Sequence, residues 1–229
     1  MKFGKKTIIK DLSFDVRAGE IFGLLGANGS GKTTTLRALL GFYTPTGGEL
    51  LVDGKPYDPE NPAVMIGYLP EERGLYRKET VLDNLVYFGE LKGLKSPRDW
   101  ALKYLKRVKL EDKQNEKLEK LSGGQQQKIQ LGVTIMNDPK LLILDEPTKG
   151  FDPMNRRLLM EIIEELHQKG TAVILITHYM DEVEKLCDRA LLLKNGVAEA
   201  YGTISEIKKQ HKNKSLEQIF IDIYGGENE

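Results

Sequence analysis

The chain has 229 residues, of which 40% are hydrophobic and 30% are charged, which suits a folded domain with a substantial core. This composition excludes a disordered chain or a small disulfide-stapled protein. Lysine and arginine number 34, as do aspartate and glutamate, so the formal net charge of +0 gives no general attraction to nucleic acid or anionic lipid.

Hydropathy and cysteine content indicate the compartment. No apolar run approaches the roughly 18 to 20 residues that span a bilayer, and the basic segment at residues 1–10 lacks the apolar core of a secretory signal. The single cysteine, Cys187, excludes an internal disulfide, and we interpret it as a small buried residue. We therefore expect a protein that stays in the cytosol.

Short apolar runs alternate with longer helical patterns, which is typical of an α/β fold. Near the amino end, the alternation at residues 12–16 (LSFDV) and the Asp-Gly turn at residues 49–55 predict a small antiparallel β element. A mainly parallel central sheet is predicted from the apolar runs at residues 21–25, 65–69, 141–145, 172–177 and 190–194.

A helical insertion divides the predicted sheet. Between residues 79 and 137 the strand signals stop, and Val81, Leu82, Leu85 and Phe88 fall on one helical stripe. We therefore predict one domain over residues 1–229, in which residues 79–137 form a helical subdomain between core segments 1–78 and 138–229.

Helix and turn signals mark several further elements. Ser96–Pro97 and Asp152–Pro153 each combine a cap with a first-turn proline, and Gly170 closes the second of these helices. An Asn-Gly hairpin turn is predicted at residues 195–196, and capping boxes are predicted at Thr203/Glu206 and Ser215/Gln218.

A P-loop follows the first core strand. The segment GANGSGKT at residues 26–33 lies between a predicted strand and a predicted helix, the context that this motif requires. Its glycines let successive backbone N–H groups turn around a polyphosphate, while Lys32 can reach the β and γ phosphates and Thr33 can bind Mg²⁺. The predicted nucleotide-binding residues here are Gly26, Ala27, Asn28, Gly29, Ser30, Gly31, Lys32, Thr33 and Thr34.

Two carboxylates, Asp145 and Glu146, lie at the end of the predicted buried strand LLILD (residues 141–145). Unpaired buried charge is costly, so a strand that ends in this way must use its carboxylates. Asp145 is placed to hold the metal through water, and Glu146 is the candidate general base for a water that attacks the γ-phosphate. The alternative for Glu146 is a helix-capping or solvated carboxylate.

The LSGGQ segment (residues 121–125) places small residues directly before another predicted helix, which makes it a second anion site. The chain thus has two phosphate cradles but only one P-loop lysine. Either a second ligand or a symmetric partner must fill the second cradle, and a head-to-tail pair with two shared sites meets this requirement.

With these motifs the sequence resembles the ATP-binding subunit of an ABC transporter over nearly its whole length. The resemblance implies a P-loop NTPase fold, ATP and Mg²⁺ as cofactors, and ATP hydrolysis. It also implies a homodimer or a paired second ATP-binding subunit, and an integral membrane permease that holds the protein at the inner face of the cell membrane. No nucleic acid partner is expected.

The same resemblance implies roles for individual residues. In this family Ser122, Gly123, Gly124 and Gln125 would contact the γ-phosphate of ATP held by the opposite subunit. Phe3 matches an aromatic residue that stacks on adenine, with packing under the first strand as the alternative. His178 matches the switch histidine that contacts the γ-phosphate and orients the attacking water. Asp152 matches an aspartate that communicates across the dimer and also caps the next helix.

Two positions depart from the family pattern. Glu71, followed by Glu72 and Arg73, stands where the family usually has glutamine, whose implied role is to sense Mg²⁺, water and the membrane partner. A glutamate can still bind a metal-bound water, although it adds a charge and loses the amide donor. Phe151 stands where leucine is commoner, which we interpret as a packing change. The segment YLPEERGLY at residues 68–76 resembles exporters that pair with a separate permease, including sodium or drug efflux systems.

Three other classes of function are alternatives to an ABC transporter subunit. A GTPase would need a guanine-reading NKxD motif, and the nearest string, NKSL at residues 213–216, lacks the aspartate. A soluble ABC-type ATPase acting on nucleic acid or ribosomes is the alternative function that stays open, although such proteins typically have tandem cassettes or long coiled coils and this chain shows neither. A non-hydrolysing regulatory module would not need the intact Asp145, Glu146 and His178.

Overall fold

The structure, a computed structural model, describes residues 1–58, 65–72 and 74–225. The chain divides into two compact units, a first unit of Met1–Met65 and Ala172–Glu229 and a second unit of Ile66–Thr171. The strands are β1 Lys2–Phe3, β2 Lys6–Thr7, β3 Ile21–Leu25, β4 Leu51–Val52, β5 Lys55–Pro56, β6 Ile66–Leu69, β7 Leu141–Asp145, β8 Ala172–Ile176, β9 Arg189–Lys194 and β10 Val197–Thr203. The helices are α1 Lys32–Leu39, α2 Val81–Leu91, α3 Pro97–Arg107, α4 Gly123–Ile135, α5 Pro153–Gln168, α6 Met180–Leu186, α7 Ile204–Gln210 and α8 Leu216–Tyr224.

Three parallel strands form the centre of the first unit. β3 lies between β8 and β9, and both pairings are parallel, whereas β10 pairs with β9 in the antiparallel direction. β3 and β8 are buried along their whole length, as expected for apolar strands covered on both faces. Asn195 and Gly196 connect β9 to β10 with φ values of 50° and 76°, which confirms the predicted hairpin turn. The predicted α/β fold with parallel strands is thus confirmed.

Two short hairpins, β1–β2 and β4–β5, supply the antiparallel element of the first unit. The second hairpin turns at Asp53 and Gly54, as the Asp-Gly pair predicts. The strand expected at residues 12–16 is wrong, because side chains instead of a neighbouring strand bind the backbone there. The Asp15 N–H donates to the Tyr201 hydroxyl at 3.1 Å, and the Asp15 carbonyl accepts from Arg189 at 3.4 Å.

A charged cluster lies at the start of β9. Arg189, whose side chain is only 9% exposed, donates from Nη1 to Asp15 at 3.1 Å and to Glu20 at 3.3 Å. Hydrogen bonds from Arg189 and then from Tyr201 hold the pKa of Asp15 well below its usual range. The cluster ties the segment before β3 to β9 and β10.

The second unit combines two parallel strands with helices. β6 pairs with β7 in register Ile66 to Leu141. Residues 79–137, all of which are described, hold helices and no strand. On α2, Val81, Leu82 and Leu85 of the predicted stripe are buried, whereas Phe88, its fourth member, is half-buried. The division of the chain at residues 79 and 137 into core and helical subdomain stays a prediction.

The ends of the helices follow the capping signals with two exceptions. Asp152 accepts a hydrogen bond from the N–H of Asn155 at 2.9 Å at the start of α5, and Thr203 and Glu206 form the complete capping box of α7. Ser215 accepts from the Gln218 N–H at 3.2 Å, which is one half of the predicted box. The Ser96 side chain makes no capping bond to α3.

Two further expectations concern burial and hydropathy. Cys187 is buried, and burial raises the pKa of its thiol, as the interpretation of a small structural residue requires. Among the described residues, no helix is both long and apolar enough to cross a membrane.

Candidate nucleotide-binding site

The P-loop (residues 26–33) connects β3 to α1 and packs tightly against its surroundings in the first unit. A Cβ atom added to Gly26 would lie 2.4 Å from Ser30 Oγ and 2.6 Å from the carbonyl oxygen of Leu193. Gly31 has φ 114° and would place a Cβ 2.7 Å from Ile9 Cδ1. Both positions therefore require glycine, and the shape of the loop is fixed by the atoms packed against it.

Lys32 lies across its own loop. Its ammonium nitrogen donates to the carbonyl of Gly26 at 2.5 Å and to that of Ala27 at 3.1 Å. These two hydrogen bonds use N–H donors of the ammonium group and hold its positive charge inside the bend of the loop. The lysine thus lies where a polyphosphate cradled by the loop would meet it.

The residues of the P-loop region fall into two sets by exposure. Asn28, Gly29 and Thr33 are exposed and Thr34 is half-buried. Ser30 Oγ is buried, as is Thr35 Oγ1 in α1, and neither has a hydrogen-bond partner within the described ranges. Buried polar atoms without partners are uncommon and indicate a site that an additional group completes.

Phe3 is exposed and is paired with a second aromatic ring. Its side chain is 43% exposed, and it contacts Tyr43 edge-on at a centroid distance of 5.0 Å. Arg37 donates to the Tyr43 hydroxyl at 3.0 Å and so fixes the position of this second ring. The exposure of Phe3 suits a ring that stacks on a base better than a ring packed beneath a strand.

His178 follows β8 as the sequence predicts. It is exposed, and its ring lies 4.2 Å from that of Tyr179. The Tyr179 N–H donates to Thr177 Oγ1 at 3.1 Å, so a turn directly after the strand places the histidine. The first unit therefore holds the P-loop, Phe3 and His178.

The acidic pair lies at the carboxyl end of β7 in the second unit. Asp145 is the last residue of the strand, and both Asp145 and Glu146 are half-buried. Glu146 has φ 48°, an uncommon value for a residue other than glycine and one that recurs at functional sites. The cap of the following helix is Asp152, so Glu146 does not have the capping role considered as its alternative.

Glu71, expected near the metal, binds a lysine. Its Oε1 accepts from Lys149 Nζ at 2.5 Å, and the two side chains are 48% and 59% exposed respectively. The buried Gln130 holds the same loop, because its amide nitrogen donates to the carbonyl of Glu72 at 3.1 Å and to that of Pro70 at 3.4 Å. Arg73 lies outside the described residues.

The LSGGQ segment caps α4 in the second unit. Ser122 Oγ accepts from the N–H of Gln125 at 3.3 Å, and Gln125 Oε1 accepts from the N–H of Ser122 at 2.9 Å. Ser122 and Gly123 are exposed, while the Cβ position of Gly124 lies 3.6 Å from the Phe151 ring. The capping box orders the segment, and Phe151 packs against it, which gives a physical basis for the packing change predicted at residue 151.

Several contacts of the candidate site residues are not among those predicted from the sequence. Lys149 and Gln130 both hold the loop of Glu71, yet they lie far from it along the chain. For the Glu71–Lys149 pair the sequence does offer a signal: Lys149 lies three residues after Glu146, and a lysine is a suitable ion-pair partner for the acidic segment at Glu71. Nothing in the local pattern marks Gln130.

Comparisons with known proteins agree with one another. Residues 9–149 match the family described as ABC transporter. An uncharacterised ABC transporter ATP-binding protein of Methanocaldococcus jannaschii is 47% identical over 207 residues, which cover 90% of this chain and 75% of that protein. The linearmycin resistance ATP-binding protein LnrL of Bacillus subtilis is 39% identical, with 96% of this chain and 72% of that protein covered.

Two further comparisons extend over almost the whole chain. The Nod factor export ATP-binding protein I of Bradyrhizobium diazoefficiens is 38% identical, with 98% of this chain and 74% of that protein covered. A solved structure described as an ATP-binding subunit of an ABC transporter has a TM-score of 0.88 at 29% identity and covers 96% of this chain and 94% of its own.

Proposed function

The chain belongs to the ABC transporter family as an ATP-binding and ATP-hydrolysing subunit, and on this premise we propose that two such subunits close on two molecules of Mg²⁺·ATP and drive export through a separate membrane permease. The observation that carries the proposal is the presence of two phosphate-binding elements in one chain, of which only the P-loop has a lysine. A second subunit that supplies the LSGGQ segment to each P-loop nucleotide satisfies both elements.

The P-loop would hold ATP through its backbone and Lys32. Its N–H groups cradle the phosphates at the start of α1, where the helix dipole favours negative charge. The Lys32 ammonium, already held inside the bend, neutralises charge on the β and γ phosphates. Phe3, exposed beside Tyr43, would stack on the adenine ring.

The chemistry of two predicted ligands suits a magnesium ion. Thr33, an exposed hydroxyl in the first turn of α1, and Asp145, a half-buried carboxylate at the end of β7, are the residues that would hold it. Mg²⁺ takes few protein ligands and keeps phosphate and water oxygens, so this sparse donor set suits it. Bound there, it would neutralise negative charge on the phosphates. Glu71 is the least suited of the predicted ligands, because its carboxylate already contacts Lys149.

Hydrolysis would depend on Glu146 and His178. Glu146 would accept a proton from the water that attacks the γ-phosphate, and His178 would orient that water. Positioning and charge neutralisation by Lys32 and the partner's LSGGQ backbone would supply most of the catalysis. Because the γ-phosphate contacts both subunits, its loss removes the contacts that favour the closed pair, and the subunits separate.

An aromatic surface in the second unit would meet the permease. Tyr76 and Tyr87 are 51% and 46% exposed and lie 5.4 Å apart, with Phe88 beside both. Aromatic residues are enriched at protein interfaces, and this cluster follows the loop of Glu71. The names of two relatives, one for linearmycin resistance and one for Nod factor export, support export as the direction. The protein would work in the cytoplasm at the inner face of the membrane.

Glu146→Gln tests the proposed closed dimer. The substitution keeps the shape of the side chain but removes its basicity, so we expect hydrolysis to fall about 100-fold or more while ATP still binds. With Mg²⁺·ATP the variant should elute as a dimer in size-exclusion chromatography and as a monomer without nucleotide.

Glu72→Gln is the matched control, because it removes one exposed carboxylate from a neighbouring loop and should change neither property. Normal hydrolysis by Glu146→Gln would refute the general base. A monomer at every ATP concentration would refute the shared sites.

A further inference from the structure

The carboxyl-terminal helix of the first unit is tied to the end of β9. The Tyr224 hydroxyl, in the last turn of α8, donates to the carbonyl of Leu193 at 2.8 Å. Lys194 donates from Nζ to the carbonyl of Ile223 at 2.7 Å, which holds the same turn. Phe220 lies one turn earlier with its ring 4.2 Å from that of Tyr224. Two neighbouring residues of β9 therefore fix where Tyr224 lies.

The Leu193 carbonyl also borders the P-loop. It is the backbone atom that would lie 2.6 Å from a Cβ on Gly26. The backbone of Ala27 also lies close enough to the Tyr224 hydroxyl to lower the pKa of the tyrosine slightly. The hydroxyl thus holds a β9 carbonyl that packs against the first residue of the P-loop.

The chemistry of a tyrosine suits this position. A phenol has a single O–H donor, and Tyr224 uses it on the Leu193 carbonyl that packs against Gly26. Burial, with Glu199 adding to the effect, raises the pKa of Tyr224, so the hydroxyl keeps its proton at neutral pH. Farther along the loop, the N–H of Gly196 donates to the Ser30 carbonyl at 2.9 Å. Tyr224 therefore holds the carbonyl that borders the beginning of the loop, and Gly196 holds its later part.

We propose that Tyr224 is a positioning residue for the nucleotide. It supports the first residues of the P-loop and so sets the affinity for ATP and ADP, although it lies outside every motif of the site. Backbone N–H groups bind phosphate well only when they are held in place before the ligand arrives. Because ATP and ADP share the phosphates nearest the loop, both should lose affinity when this support is removed. The γ-phosphate step should not change, because the hydrogen bond of Tyr224 supports the first residues of the P-loop and not a side chain proposed to act in hydrolysis. The inference rests on the proposed nucleotide site in the P-loop.

Tyr224→Phe removes one hydroxyl and keeps the ring. Titration with fluorescent ATP and ADP analogues should show dissociation constants raised about three- to tenfold for both nucleotides, the effect of losing one buried hydrogen-bonding group. The KM for ATP should rise by the same factor, with kcat within about twofold of the wild-type value. Thermal unfolding without nucleotide should show a folded, cooperative protein.

Asp222→Asn is the matched control on the same helix. Asp222 accepts from Lys214 at 2.5 Å and from Gln218 at 3.1 Å, with no hydrogen bond to the P-loop among those described. Its nucleotide affinity should equal that of the wild type. Unchanged affinity in Tyr224→Phe, an equal loss in Asp222→Asn, or a fall in kcat with constant KM would each overturn the inference. If the wild-type protein itself bound no ATP, the proposed function would fail first.

Discussion

A methyl group added at Gly26 tests how tightly the P-loop is packed. In Gly26→Ala the new Cβ would meet Ser30 Oγ at 2.4 Å and the Leu193 carbonyl at 2.6 Å, whereas real Cβ atoms essentially never come within 3.0 Å of a neighbour. The serine hydroxyl can rotate away from the methyl group. The carbonyl belongs to a paired strand, so either the loop or β9 must move by several tenths of an ångström.

The size of the effect follows from the nature of the contact. Forcing one extra carbon into a packed region costs about 1 to 3 kcal/mol. If the loop moves, the whole cost falls on nucleotide binding and weakens it about 5- to 150-fold. If β9 moves, the same cost falls on the free energy of unfolding. The two losses together should therefore reach at least about 1 kcal/mol.

Two measurements on the same protein separate these outcomes. Titration with a fluorescent ATP analogue gives the loss of binding free energy, and urea unfolding without nucleotide gives the loss of stability. Gly47→Ala is the control, because no atom lies within 4 Å of its Cβ position. It should leave binding unchanged and stability equal or higher by up to about 1 kcal/mol. A Gly26→Ala protein that matches the wild type in both measurements would refute the packing described for the loop.

Two further changes test the packing within each unit. Because hydrogen bonds hold the pKa of Asp15 below its ordinary value of 3.8, its stabilising effect should be complete above that pH and should fall as the solution becomes more acidic. Asp15→Asn should thus lower the free energy of unfolding measured in urea at pH 7 by about 0.5 to 1 kcal/mol, a small effect because this partner of Arg189 is exposed. The difference should shrink near pH 3, and a constant difference would contradict the assignment. Gly132→Ala would place a Cβ 2.4 Å from the buried ring of Tyr104, so it should destabilise the protein by about 1 to 3 kcal/mol in urea unfolding despite the better helix propensity of alanine. Equal or greater stability would show that the ring can move aside.

Local signals predicted the elements that local chemistry determines. The turn at Asn195–Gly196 and the capping box of α7 depend on residues that are adjacent in sequence, and the structure has both. The β3 strand could be predicted because a strand buried on both faces is apolar throughout.

Contacts between distant residues could not be predicted in this way. Residues 12–16 alternate like a strand, yet Arg189 and Tyr201 bind the backbone of Asp15, and no local pattern shows them. The same limit applies to Tyr224, which lies almost two hundred residues after the P-loop in the sequence and supports it through the carbonyl of Leu193. Motifs predict on which loop or strand end each candidate site residue lies, whereas they do not predict the contacts that hold these residues in place.

The ion pair between Glu71 and Lys149 has a consequence for engineering hybrid subunits. The segment that follows β6 and the segment that follows β7 carry opposite charges that contact each other directly. Grafting only the segment after β6 from a family member with glutamine at the first position would remove the carboxylate that Lys149 contacts, whereas grafting only the segment after β7 from a donor without this lysine would remove the cation that Glu71 contacts. Chimeras that exchange both segments together should retain function, so positions 71 and 149 should always be exchanged as a pair.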